Sequence, residues 1–235
     1  MKWLVIVTII TLGVNTSYAQ NRNEFWAKIS ISKKLTDKFT IATELHFRQQ
    51  ANYKNNSKNI FEEPNVRAVK LWLNYQLKNN FAITVNPITY FITDEIENAK
   101  GLLIDNDELR LAIGVTKDFK INKCKQKNRL LFETRFINYD ANNNSTQRRY
   151  RLFNSVAFPI KKINSKCNLY YQLANEFFIK TQQSTTSFDQ NRLQNLLQLQ
   201  LPKIDFNIGY QYTVQGVNDV LINKNQFLFS TNFNL

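Results

Sequence analysis

Apolar and polar residues change places one for one along most of this chain, in segments of about ten residues, the length a tilted strand needs to cross a bilayer. A period of two sends successive side chains to opposite faces of a β-strand and does not suit a helix. "FTIATELHFRQ" sets Phe39, Ile41, Leu45 and Phe47 on one face, and Thr40, Ala42, Glu44, His46 and Arg48 on the other. The same alternation recurs in "FWAKISISK", "VKLWLNYQL", "FAITVNPITYF", "ELRLAIGVTKDF" and "NRLLFETRFINY". It continues through "RRYRLFNSVAF", "NLYYQLANEFF", "NRLQNLLQLQL", "DFNIGYQYTV" and the terminal "QFLFSTNFNL".

The links between segments alternate as well. Short ones follow Lys33, Leu77, Phe119, Phe158 and Leu201; longer polar ones follow Gln49, Phe91, Tyr139, Ile179 and Val214. Short turns at one end and long loops at the other describe an all-β, up-and-down antiparallel barrel. Eleven segments can be read, whereas single-chain bacterial barrels hold even numbers of strands. The expectation is therefore ten to twelve strands. The odd count points to a segment split or merged near residues 50–65, or to a first strand that pairs unusually.

The face chemistry indicates which side meets lipid. Leu109, Leu111, Ile113, Leu130, Phe132, Phe136, Tyr150, Leu152, Leu173 and Leu197 share the apolar phase, and large charged groups fill the other. A membrane barrel turns its apolar face outward and its polar face to the lumen. The N-terminus agrees: Lys2, an apolar run from Leu4 to Val14 and the small-residue site Ser17-Tyr18-Ala19 have the form of a signal peptide. Residues 1–19 are read as that leader and residues 20–235 as a barrel in the outer membrane of a Gram-negative bacterium, with short turns periplasmic. A secreted carrier of lipocalin type is the soluble rival. Phe227, Phe229, Phe233 and Leu235 alternate to the last residue, which suits recognition of the C-terminal strand by the barrel-assembly machinery. Leu235 stands where such signals end in phenylalanine.

A net charge of +13 invites a nucleic-acid reading. The lysines, however, gather in the short turns (Lys33, Lys34, Lys78, Lys123, Lys162, Lys203), away from the aromatics that a base-stacking surface needs. Outer-membrane lipid is the expected partner, and nucleic acid is not. Cys124 and Cys167 fall on neighbouring short turns. Two strand spacings of about 10 Å exceed the roughly 7 Å a disulfide spans, so they are expected to stay unbridged.

The candidate site is a belt of lumen-facing charges. Glu108 and Arg110, Glu133 and Arg135, Arg149 and Arg151, Glu176, and Arg192 are brought to one height on five adjacent strands, with Glu44 and Arg48 continuing the belt. Opposite charges on adjacent strands stand about 5 Å apart at Cβ and can pair. One reading is a structural ladder that fills a narrow lumen. The other is a selective constriction of porin type. Five arginines against three glutamates on the five strands lean an open pore toward small anionic solutes. No catalytic residue, metal site or cofactor is assigned. A hydrolase needs a base and nucleophile together, and the sole histidine, His46, has Arg48 nearby where a serine would be wanted.

The Trp26 strand, "TELHFR", "ELR", "ETR", "RRYR" and "QNR" together resemble the outer-membrane proteins grouped as domain of unknown function 2490, over nearly all of the chain beyond its leader. The resemblance implies an outer-membrane barrel and carries no established activity or catalytic residues.

Overall fold

The computed structural model describes residues 21–52, 58–97, 103–139, 144–217 and 220–235; the expected leader, residues 1–19, lies outside them. The strands are β1 (Asn21–Lys34), β2 (Phe39–Gln50), β3 (Glu63–Gln76), β4 (Phe81–Glu97), β5 (Leu103–Ile121) and β6 (Cys124–Asn138). They continue as β7 (Asn144–Asn164), β8 (Cys167–Gln182), β9 (Thr185–Gln200), β10 (Ile204–Val217) and β11 (Val220–Asn234). A single 3-10 turn at Lys78–Asn80 is the only helical element among the described residues.

Each strand pairs antiparallel with its neighbour in the chain, and β1 pairs with β11 to close the barrel. The count among the described residues is eleven, so the even number expected of such barrels does not hold there. No segment is split or merged. An odd number of up-and-down strands leaves the first and last pointing the same way, and the β1–β11 seam is accordingly parallel, from Asn21 opposite Asn223 to Ser32 opposite Asn234. Parallel ladders are slightly weaker per residue. Side chains reinforce this one: Gln226 donates to Glu24 at 2.7 Å, Lys224 pairs with Glu24 at 3.2 Å, and Ser32 donates to Asn234 at 2.8 Å.

The short turns match the sequence reading. At the other end the strands run further than the apolar alternation does. β8 continues to Gln182 and β10 to Val217, leaving links of only residues 183–184 and 218–219. Gln183 and Ser184 both take positive φ (47° and 67°), the geometry of a tight hairpin turn that matches strand twist. The stretch "TQQSTTS" is polar on both faces, so its period vanishes although the hydrogen-bonded ladder persists.

The outward phase is apolar and the inward phase polar, the reverse of a soluble barrel. Ile29, Leu45, Ile113, Leu130, Leu173 and Ile208 are exposed on the outside, whereas Glu133, Arg149, Glu176, Gln211 and Gln226 are buried in the lumen. That inversion suits a hydrocarbon surround. The outer band is not uniformly apolar. Asn128, Asn154 and Asn175 stand opposite one another on β6, β7 and β8, in phase with Leu130, Leu152 and Leu173. Asn175 donates to Asn191 and Tyr171 to Asn195, each at 2.8 Å, so the row meets part of its own hydrogen-bonding demand.

Close strand approach fixes one glycine. Gly114 faces Leu131, which is fully buried, and a Cβ there would meet Leu130 O at 2.0 Å and Leu131 Cδ2 at 2.6 Å. Overpacking a tight interior typically costs about 1–3 kcal/mol, and here the obstacle is backbone. Gly114→Val is expected to abolish the compact, heat-modifiable band of the folded barrel in unboiled SDS gels. A variant that keeps that band shows that β5 and β6 can part locally.

Candidate functional site

The lumen charges lie on the inward phase of long strands, so register decides which of them meet. Glu133 stands directly opposite Arg149, and Glu176 directly opposite Arg192. Arg151 reaches between the two carboxylates, at 2.8 Å from Glu133 and 2.7 Å from Glu176. Arg149 also pairs with Glu133 and, at 3.0 Å, with Asp189. Arg129 and Arg192 approach Glu176 at 3.2 and 3.7 Å. The result is one alternating chain, Arg129–Glu176–Arg151–Glu133–Arg149–Asp189, across β6 to β9. Arginine's planar fork is suited to this bridging.

A hydrocarbon ring sits inside the network. Phe178 has no exposed surface, and the guanidinium carbons of Arg149, Arg151 and Arg192 lie 4.9, 4.9 and 4.7 Å from its centroid. Cations over an aromatic face are attracted to its quadrupole, more so when desolvated. On the seam side an amide network closes the ring. Gln194 donates to Gln211 at 2.6 Å, Gln211 donates to Gln226, and Gln226 donates to Glu24, which also accepts the Trp26 indole N–H at 2.7 Å.

Glu108, Arg110 and Arg135 form a second cluster nearer the long-link end. The two arginines stand opposite one another and share the Glu108 carboxylate, and Arg135 also donates to Gln147 at 2.9 Å. Arg110 stacks 3.7 Å from the Phe91 centroid. Glu44 and Arg48, on the lumen phase of β2, do not pair with each other. Four residues along a strand span about 13 Å, and flanking strands supply nearer partners. Glu44 meets Lys28 at 3.7 Å, Lys70 at 4.0 Å and His46 at 2.9 Å. Arg48 instead stacks on Trp26, 3.7 Å from the ring centroid.

Several participants escaped the sequence reading. Asp189 is the extra residue of a β-bulge: Phe178 pairs with Gln190 and Ile179 with Phe188, so Asp189 and Gln190 both turn inward. A bulge re-aims a side chain that strict alternation assigns outward. Arg129, Lys28 and Lys70 share the lumen phase of their strands and were findable by parity alone. Cys124 and Cys167 are free thiols at the starts of β6 and β8.

Below the network the lumen opens. A cavity of about 1430 Å³ extends from Arg48, Arg151, Glu176 and Arg192 down to residues beside the short turns, among them Gln76, Asn80 and Lys120. Glu133, Arg149 and Phe178 lie beyond its inner end.

Comparison with known proteins places this architecture. A family model for proteins of unknown function, DUF2490, matches residues 23–220. The chain belongs to that family. The sequence motifs of this DUF2490 barrel fall on the lumen: "ETR" supplies Glu133 and Arg135, "RRYR" supplies Arg149 and Arg151, and "QNR" supplies Arg192. No curated protein matches the sequence. Among solved structures, LpxR from Salmonella typhimurium is similar, with a TM-score of 0.51 at 7% identity over 83% of each chain. At that identity the likeness is one of fold, a β-barrel similar to that of an outer-membrane protein.

Proposed function

We propose that this protein is a non-conducting barrel of a Gram-negative outer membrane, its lumen braced and sealed by the Glu–Arg network and open as a blind vestibule toward the periplasm. One observation carries the reading. Around the ring at network height, Leu131, Phe178, Gln211 and Gln226 are 0% exposed, Glu24 and Gln50 are 1%, and Glu133 and Arg149 are 3%. Side chains inaccessible to water on β1, β2, β6, β7, β8, β10 and β11 leave no room for a hydrated ion to pass. A porin-like role with anion preference needs a water path beside Phe178.

The membrane assignment is supported by the apolar exterior and by the likeness in fold to LpxR. The orientation is supported by the general rule that short turns of such barrels are periplasmic. Phe227 and Phe229 are exposed on β11, as a strand read by the assembly machinery requires. Protein reconstituted in planar bilayers is expected to give no conductance steps above the lipid baseline. A steady ohmic conductance from the unmodified barrel would overturn the sealed reading.

A further inference from the structure

We propose that the vestibule is a binding site for a phosphate- or carboxylate-bearing solute, with Arg48 and Arg192 as its anion clamp and Trp26 as the surface between them. The proposal rests on the vestibule being blind, as read above.

The cavity of about 1430 Å³ exceeds the roughly 300–1,000 Å³ usual for small-molecule pockets, so it admits an extended solute. Its wall is strongly cationic: nine lining residues are Lys or Arg and three are Asp or Glu. Those three carboxylates are already engaged. Glu176 holds Arg129, Arg151 and Arg192, Glu44 holds Lys28 and Lys70, and Asp118 holds Lys127 at 3.7 Å. Positive charge is therefore left over, and low-dielectric walls focus its field on the enclosed water.

The surplus is sharpest at the inner end. Arg48 makes no ion pair among the described residues, and its Nε–H is buried without an acceptor. Its guanidinium carbon lies 3.7 Å from the Trp26 centroid, and that of Arg192 lies 5.3 Å from the same ring. Two cations share one indole, and the carboxylates beside them are already engaged: Glu176, 3.7 Å from Arg192, holds Arg151 at 2.7 Å, and Glu24 holds Lys224 at 3.2 Å and accepts from Gln226 and Trp26. An anion between the two forks relieves their repulsion and accepts several charge-assisted hydrogen bonds. Glu24 fixes the platform by accepting the Trp26 N–H at 2.7 Å. The Trp72 indole N–H, on the same wall, is likewise without an acceptor.

The fold supplies its own reporter. Of the three tryptophans, Trp3 lies in the expected leader, and Trp26 and Trp72 both line the vestibule. Barrel purified in non-ionic detergent is titrated with pyrophosphate, citrate or dihexanoyl phosphatidic acid while tryptophan emission is followed. The expected result is a saturable change with at least one probe. Losing one charge-assisted contact should weaken that binding about tenfold in Arg48→Gln and in Arg192→Gln, with Lys161→Gln, exposed near the short-turn end of β7, unchanged. Arg48→Lys, which keeps the charge and loses the fork, serves if Arg48→Gln does not fold. Preference for pyrophosphate assigns a soluble phosphate, preference for phosphatidic acid a lipid headgroup, and preference for citrate a carboxylate solute. The proposal falls if no probe saturates, if both arginine variants bind as the parent does, or if potassium chloride at matched ionic strength reproduces the change. A conducting barrel that still binds pyrophosphate overturns the sealed reading alone; a silent barrel that binds no probe overturns this one alone.

Discussion

Glu176→Gln is expected to destabilise the folded barrel by about 3–5 kcal/mol, the scale of breaking a buried ion pair from one side. Glu176 is 4% exposed and is approached by Arg151, Arg129 and Arg192 at 2.7, 3.2 and 3.7 Å. Its neutralisation leaves Arg151 with Glu133, but leaves Arg129 and Arg192 without a carboxylate among the described residues. Two largely buried guanidiniums at the inner end of the vestibule would then be left without a carboxylate partner. The effect is read by urea unfolding of the barrel in phospholipid vesicles. Lys127→Gln is the control, because its pair with Asp118 is about half exposed on both sides and such pairs contribute at most about 1 kcal/mol. If Glu176→Gln unfolds at the same urea concentration as Lys127→Gln, the network does not brace the wall.

The difference between those two pairs also explains how much of the molecule was legible in its sequence. A hydrocarbon surround imposes period two on every strand, so the faces of β5 to β9 followed from counting. Antiparallel geometry also put Glu133 and Arg149 at a similar height on either side of the longer link after Tyr139; their direct opposition comes from the register of β6 against β7. What failed did so for local reasons. Lys28 and Lys70, the partners of Glu44 on the flanking strands, were not picked out although they share the lumen phase. Asp189 was hidden by a bulge, which breaks the parity on which the reading depended. Phe178 was hidden differently: "NEFF" puts an aromatic on both faces, and nothing in the string marks the inward one as the ring packed among Arg149, Arg151 and Arg192. The parallel seam was left open by the odd count and decided only by three-dimensional closure.

Removing the closure proposed at Phe178 and its partners should convert the barrel into an anion-selective channel. In the triple variant Glu133→Ala, Arg149→Ala, Phe178→Ala, both members of one ion pair go together, so neither is left as an uncompensated buried charge. Arg151 keeps Glu176, and Asp189 keeps Lys180 at 4.0 Å. The ring that fills the space between Arg149, Arg151 and Arg192 is gone, and the vestibule below reaches the long-link end. The lumen that remains carries Lys28, Arg48, Lys70, Arg110, Arg129, Arg135, Arg151, Lys180, Arg192 and Lys224 against Glu24, Glu44, Glu108, Glu176 and Asp189, so chloride is the favoured ion. In planar bilayers the unmodified barrel is expected to stay silent and the variant to show discrete steps, with a reversal potential of anion-selective sign in a potassium chloride gradient. The variant must still run as a compact band before boiling. Given that band, silence means the closure lies elsewhere than at Phe178 and its partners. A cation-selective sign instead means that the surplus arginines do not set the field along the lumen, and the anion clamp inferred for Arg48 and Arg192 would lose its electrostatic basis as well.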